Sequence, residues 1–68
     1  MFFEFITKRS EKVFININHI MFITPVKNGA MIVDSQNNDY ETSEPYESVV
    51  QRLNNLAYVK MYKMYKSE

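Results

Sequence analysis

Apolar and polar positions follow each other along this chain in short blocks with strand-like spacing up to Thr42 and helical spacing after it. Segment 2–7 (Phe2, Phe3, Glu4, Phe5, Ile6, Thr7) is rich in residues that favour a pleated, half-buried surface. The polar stretch Lys8-Arg9-Ser10-Glu11 follows and reads as a turn. Segment 12–18 alternates, with Val13, Ile15 and Ile17 on one face and Phe14, Asn16 and Asn18 on the other. That is the period of a half-buried strand, so segments 2–7 and 12–18 predict a hairpin. A short turn is expected between Asn16 and His19. Ile20, Met21, Phe22, Ile23 and Thr24 then predict a third strand over 20–26, near the end of which stands Pro25, a residue suited to a strand edge or end. Asn28-Gly29 is a strong hairpin signal, because both residue types tolerate positive φ. A fourth strand is expected over 30–34, a polar turn from Ser35 to Asp39, and a short fifth strand from Asp39 to Thr42.

Beyond Thr42 the period changes. Ser43 reads as a helix N-cap, with Pro45 in the first turn and Glu44 and Glu47 near the positive end of the helix dipole. Tyr46, Val49, Val50, Leu53 and Ala57 recur at helical spacing, which predicts a helix over 44–55 ending near Asn54-Asn55. The segment 57–66 fits two descriptions. Tyr58, Val59 and Tyr62 favour a sixth strand, and the Asn pair before them supports it. Val50, Leu53, Ala57, Met61 and Met64 also share one helical stripe, so the helix would simply continue. The expected fold is α+β: one small domain, 1–68, with five or six mostly antiparallel strands and one helix packed on the sheet. Phe3, Phe5, Val13, Ile15, Ile20, Phe22, Ile32, Val50 and Leu53 are the expected core.

With 68 residues the chain allows a single domain, and a domain of that size buries only about 60% of the surface its unfolded chain exposes. Cysteine is absent, so neither a disulfide nor a thiolate metal site can supply the missing stability. Apolar packing must do so, and ten aromatic residues (five Phe, five Tyr) and five Met are available for it. They exceed what one sheet face and one helix cover, which predicts a homodimer or higher oligomer. No apolar run approaches the roughly 20 residues that span a bilayer, so membrane insertion is not expected. Met1-Phe2-Phe3-Glu4 places a carboxylate where a secretory leader carries basic groups, which points to a cytoplasmic protein. Net charge is zero, but residues 1–27 carry +2, residues 28–51 carry −5 and residues 52–68 carry +3. A neutral chain has no global attraction for a polyanion, so nucleic-acid binding would need a local patch.

Few residues invite chemistry. His19 is the single histidine, and no carboxylate lies beside it in sequence to complete a metal site or tune a base. A turn histidine is the simpler reading. The serines lie in no nucleophile elbow, and the single Gly29 excludes a glycine-rich phosphate loop. Asp34, Asp39, Glu41, Glu44 and Glu47 lack the spacing of a calcium loop and read better as turn and helix-terminal charges. The sequence therefore points to a non-enzymatic protein with no catalytic residue, no metal and no cofactor. Its most distinctive surface is the end of the chain, where Lys60, Lys63 and Lys66 interleave with Tyr58, Tyr62 and Tyr65. With Arg52, Met61 and Met64 these residues suit an adaptable protein interface. The same lysines and tyrosines would alternatively track phosphates and stack on bases.

Two resemblances bear on that choice. The run Phe14-Ile15-Asn16-Ile17-Asn18-His19-Ile20-Met21-Phe22-Ile23 resembles the small flagellar FlbD-like proteins. These have a short strand, an apolar-Asn-x-x-x-Ile-x-x-Ile segment, a hairpin, and a capped Val-rich helix. Asn16, Ile20, Ile23, Ser43, Val49 and Val50 occupy those places here, and the resemblance spans roughly residues 2–53. The order of a hairpin, a short helix and then Tyr58-Val59-Lys60-Met61-Tyr62-Lys63 is similar to the first part of LytTR-type DNA-binding domains. That family's His falls on Tyr62 and its Ser on Met64, and the second half of such a domain has no counterpart. Both resemblances imply a small twisted sheet with one helix, and neither implies an enzyme. The flagellar one implies an accessory or regulatory protein that occupies a surface on a protein partner, a description that a small phage-type inhibitor also meets.

Overall fold

A computed structural model of the chain describes residues 1–56, and these form an α+β domain. The strands are β1 (Phe2–Ile6), β2 (Lys12–Asn16), β3 (Ile20–Val26), β4 (Gly29–Asp34) and β5 (Asp39–Thr42), and one helix follows, α1 (Tyr46–Leu56). One turn of 3-10 helix, Ile17–His19, links β2 to β3, and the Asn16 side chain caps it by accepting the Asn18 N–H. The sixth strand weighed for residues 57–66 lies outside the described residues.

All pairings are antiparallel. β1 and β2 form one hairpin, and β3, β4 and β5 form a three-stranded sheet in that order. The two sheets meet at one corner, where Thr7 bridges Thr42. There the Lys8 N–H donates to the Glu41 carbonyl at 2.9 Å and the Thr42 hydroxyl donates to the Ile6 carbonyl at 2.8 Å. The core lies between the inner faces of these sheets and α1. Phe3, Phe5, Ile15, Ala30, Ile32, Val49 and Leu53 form one buried cluster, with Val13, Ile17, Ile20, Ile23, Tyr40, Tyr46 and Leu56 packed around it. Phe3 and Phe5, two residues apart and hence on one strand face, lie with ring centroids 5.8 Å apart, and Phe5 meets the Tyr40 ring edge-on at 5.9 Å.

Two expected core positions are displaced. Phe22 is 50% exposed. The register of β3 on β4 passes from Ile20↔Asp34 directly to Phe22↔Val33, leaving Met21 as an extra residue. Such a bulge reverses the alternation beyond it. Ile20 and Ile23 therefore face the core, and Phe22 turns to the opposite sheet face, where its partner Val33 is buried while Phe22 itself stays half exposed. Regular alternation from Ile20 would have placed Phe22 inside. In α1, Val49 is fully buried, whereas Val50, one position and about 100° further round, is only half-buried. The helix also starts later than expected. Ser43 does not cap it: α1 begins at Tyr46, and the Pro45 carbonyl accepts the Val49 N–H at 3.0 Å.

The β3–β4 hairpin turns at Lys27-Asn28, with Gly29 already the first residue of β4, opposite Val26. Asn28 has φ 63° and Gly29 φ 155°. A Cβ on Gly29 would stand 1.9 Å from the Thr42 carbonyl oxygen, so both conformation and close approach demand glycine.

Two outcomes are expected in urea denaturation. Gly29→Ala should cost about 2 kcal/mol or more, because strained backbone and a main-chain collision combine. Val49→Ala should cost roughly 2 kcal/mol for its buried methyl groups and the cavity left behind, and Val50→Ala about half as much or less. Equal losses at 49 and 50 would contradict the placement of α1.

Candidate interaction surface

Arg52 is the one member of the expected interface within the described residues. It projects from α1 toward β1, and three partners hold it. Its Nε and Nη2 donate to the two Glu44 carboxylate oxygens, each at 2.9 Å. Nη2 also donates to the Glu4 carbonyl at 3.0 Å, and the guanidinium lies 4.6 Å from the centroid of the Phe3 ring. Ser48, one turn into the helix, donates to the same Glu44 carboxylate at 2.5 Å. The Arg52 hydrogen bonds, ahead of a smaller opposing effect of burial, hold the Glu44 carboxyl below its ordinary range, and Ser48 adds to the effect. Glu44 in turn raises Arg52. Arg52 thus fastens the helix to β1, with Nε and Nη2 committed to groups of its own chain although the side chain stays exposed. Tyr58, Lys60, Met61, Tyr62, Lys63, Met64, Tyr65 and Lys66 lie outside the described residues, so the interleaved basic and aromatic surface does not enter the geometry.

The acidic residues between 34 and 47 spread over separate tasks. Asp34, at the end of β4, organises the 35–38 turn. Its Oδ1 accepts the Gln36 and Asn38 N–H groups at 3.0 and 2.9 Å, and its Oδ2 accepts the Asn38 side-chain amide at 3.2 Å and the Tyr40 hydroxyl at 3.4 Å. Burial acts to raise the Asp34 carboxyl, but these hydrogen bonds together outweigh it and hold the group below its ordinary value. Burial and the Asp34 charge raise the Tyr40 phenol. Glu41 pairs with Lys8 at 3.2 Å. Among the described residues no three carboxylate, histidine or cysteine side chains gather as a metal site would require. His19 is exposed at the end of the 3-10 turn, and its main-chain carbonyl accepts the Ser35 N–H at 2.7 Å.

An open cleft of about 540 Å³ runs between β1, the 7–10 turn and the start of α1. Its charged walls are Glu4, Lys8, Glu44 and Arg52, and each of these belongs to an ion pair. The Thr42 hydroxyl in its floor is bonded to Ile6. The cleft presents paired charges and, in Thr42, a bonded hydroxyl, the arrangement of a structural joint.

The outward sheet faces differ. On the β1–β2 hairpin, Phe2 is 61%, Ile6 56% and Phe14 60% exposed, and they surround the Glu4–Lys12 ion pair at 3.1 Å. Phe14 stands opposite Glu4, diagonal to both Phe2 and Ile6. On β3, Met21 and Phe22 are about half exposed, one the bulge residue and the other turned outward by it. None of these five was expected as a surface residue. The signal was present at Phe14, which the alternation set on the same face as Asn16 and Asn18. No helix among the described residues is long and apolar enough to cross a membrane. Comparison with protein-family models, curated proteins and solved structures finds no match to this chain, so its function has to be argued from its surface.

Acid titration tests the two carboxylates. A carboxyl whose folded value is depressed stabilises the fold above its unfolded value and loses that contribution as pH falls through the folded one. Urea midpoints measured from neutral pH down to about pH 3 should therefore decline. Asp34→Asn and Glu44→Gln should each flatten that decline, and an unchanged slope in both variants would refute the assignment.

Proposed function

We propose that this chain is a small protein-interaction module, an accessory or regulatory protein that acts by occupying a surface on a partner protein and performs no reaction of its own. The observation that carries this reading is the set of large apolar side chains left outward by the described residues. Phe2, Ile6, Phe14, Met21 and Phe22 are each at least half exposed, although the domain has a separate, well-formed buried cluster. Aromatic residues and methionine are the types enriched where proteins meet. The Met21 bulge strengthens the argument, because bulges re-aim side chains and here the re-aimed side chain is an aromatic ring. The high aromatic and methionine content of the whole chain and the interleaved residues from Tyr58 to Lys66 fit the same reading.

The test is a pull-down from source lysate with mass spectrometry, comparing wild type with a Met21→Ser/Phe22→Ser double variant whose fold is checked by circular dichroism. Wild type should retain a stoichiometric protein, and the double variant should lose at least about tenfold in capture. Repeated failure to recover such a protein, or equal capture by both chains, would overturn the reading.

A further inference from the structure

Each sheet has two edge strands; β1 and β5 approach each other at the Thr7–Thr42 bridge, whereas β2 and β3 each have one edge that pairs with no strand among the described residues. Their edges differ in what they offer. In the β1–β2 hairpin the Thr7 N–H donates to the Glu11 carbonyl at 2.8 Å, and the Ile17 N–H donates to the Met1 carbonyl at 3.0 Å. With the register between them, these bonds make Phe3–Ile15 and Phe5–Val13 the hydrogen-bonded pairs. Lys12, Phe14 and Asn16 therefore turn their main-chain groups away from β1. The Asn16 carbonyl is the exception, since it opens the 3-10 turn. On β3, Pro25 pairs with Ala30 and has no N–H, so it occupies a position whose donor would have pointed to the open edge. The β3 edge is blunted in this way. The β2 edge carries no proline and no bulge, and its central side chain is an exposed phenylalanine.

We propose that the open edge of β2 pairs with the same edge of a second copy of this chain, antiparallel, about a two-fold axis at Phe14. In that register Phe14 faces Phe14 of the second copy, and Lys12 faces its Asn16. About four main-chain hydrogen bonds form: two between the Phe14 residues, and one from each Asn16 N–H to the opposite Lys12 carbonyl. No like charges stand opposite each other, because Lys12 meets an amide and is already paired with Glu4 in its own copy. Phe2 lies diagonal to Phe14 on the same outward face, so the two hairpins bring four rings into one continuous patch. The strand is thus complementary to itself in main-chain bonding, charge and side-chain type, as an isologous interface requires. This deepens the reading of the chain as a protein-binding module by naming a second copy as one partner. Its test uses β2 and leaves Met21 and Phe22 untouched, so the two can fail independently.

The experiment joins sedimentation equilibrium with amide hydrogen exchange on the full chain. Wild type should dimerise at micromolar concentration, and the Phe14 and Asn16 amides should gain protection as concentration rises. Phe14→Pro removes the outward donor without costing a β1–β2 bond, since Phe14 and Glu4 form a non-hydrogen-bonded pair. Phe14→Lys sets like charges face to face. Each variant, shown folded by circular dichroism, should weaken the dimer by ~30-fold or more, and Phe14→Tyr should retain it. A wild-type monomer at high micromolar concentration would overturn the proposal. So would a dimer indifferent to both substitutions, or protection of the two amides that is independent of concentration, which would mean that the chain's own residues cover the edge.

Discussion

Thr42 is the residue on which the arrangement of the two sheets turns. Its side chain is almost fully buried, with its hydroxyl donating to the Ile6 carbonyl at 2.8 Å and accepting the Glu44 N–H at 3.2 Å. Its backbone bridges Thr7, and its carbonyl lies where a Cβ on Gly29 would stand. One residue therefore ties the end of β1 to the end of β5, fixes the approach of the β3–β4 hairpin, and sets the path into α1. A hydroxyl suits this nearly buried place because it donates and accepts at once. The apolar cluster needs this corner, since Phe3 and Phe5 reach Ile32, Val49 and Leu53 only if the hairpin folds back over the larger sheet.

The helix is held by a second joint of different character. The Arg52–Glu44 pair spans two turns of chain and also reaches the Glu4 carbonyl, so it links the approach to α1, its last turns and β1. Exposed ion pairs contribute little on average. This one differs in being bidentate, in sharing its carboxylate with Ser48, and in resting on the buried Phe3 ring. It sits on the same side of α1 as Val49 and Leu53, which face the core, so it fastens the helix in the rotation that buries them. Three of the five carboxylates that give residues 28–51 their −5 charge do similar local work: Asp34 in a turn, Glu41 on Lys8 and Glu44 on Arg52.

Most of the fold was legible because the strands obey simple alternation and turn chemistry. Phe3, Phe5, Ile15, Ile32 and Leu53 were placed in the core from spacing alone, and the hairpin at Asn28-Gly29 from its residue types. What escaped was set by tertiary detail. A bulge leaves no mark in a run such as Ile20-Met21-Phe22-Ile23, where every residue is apolar and either phase of alternation looks equally good. Val49 and Val50 are adjacent and chemically identical, and both fit one broad helical stripe, so spacing alone does not choose between them. The outward aromatics were hidden for a related reason: composition says how many apolar groups a chain has, and only the register says which of them face out.

Those outward groups separate the needs of folding from the needs of association. Folding of one copy would be served as well by threonine at positions 2, 14 and 22, since threonine favours strands and carries no penalty in water. The Glu4–Lys12 pair, set among Phe2, Ile6 and Phe14 on the same face, shows that polar side chains are accepted there without harm to the hairpin. A 68-residue chain without cysteine has little apolar area to spare. Leaving Phe2, Phe14 and Phe22 at least half in water removes three of its largest apolar side chains from a core that would gain from them. Exposed rings also carry a liability, because they sit beside strand edges left unpaired among the described residues, and such edges invite indiscriminate pairing. The β3 edge meets that liability with Pro25 and a bulge, so the fold has the means to blunt an edge. β2 has neither a proline nor a bulge, and its Lys12 is held by Glu4, so the strand beside the exposed Phe14 fits an edge kept open for one particular contact.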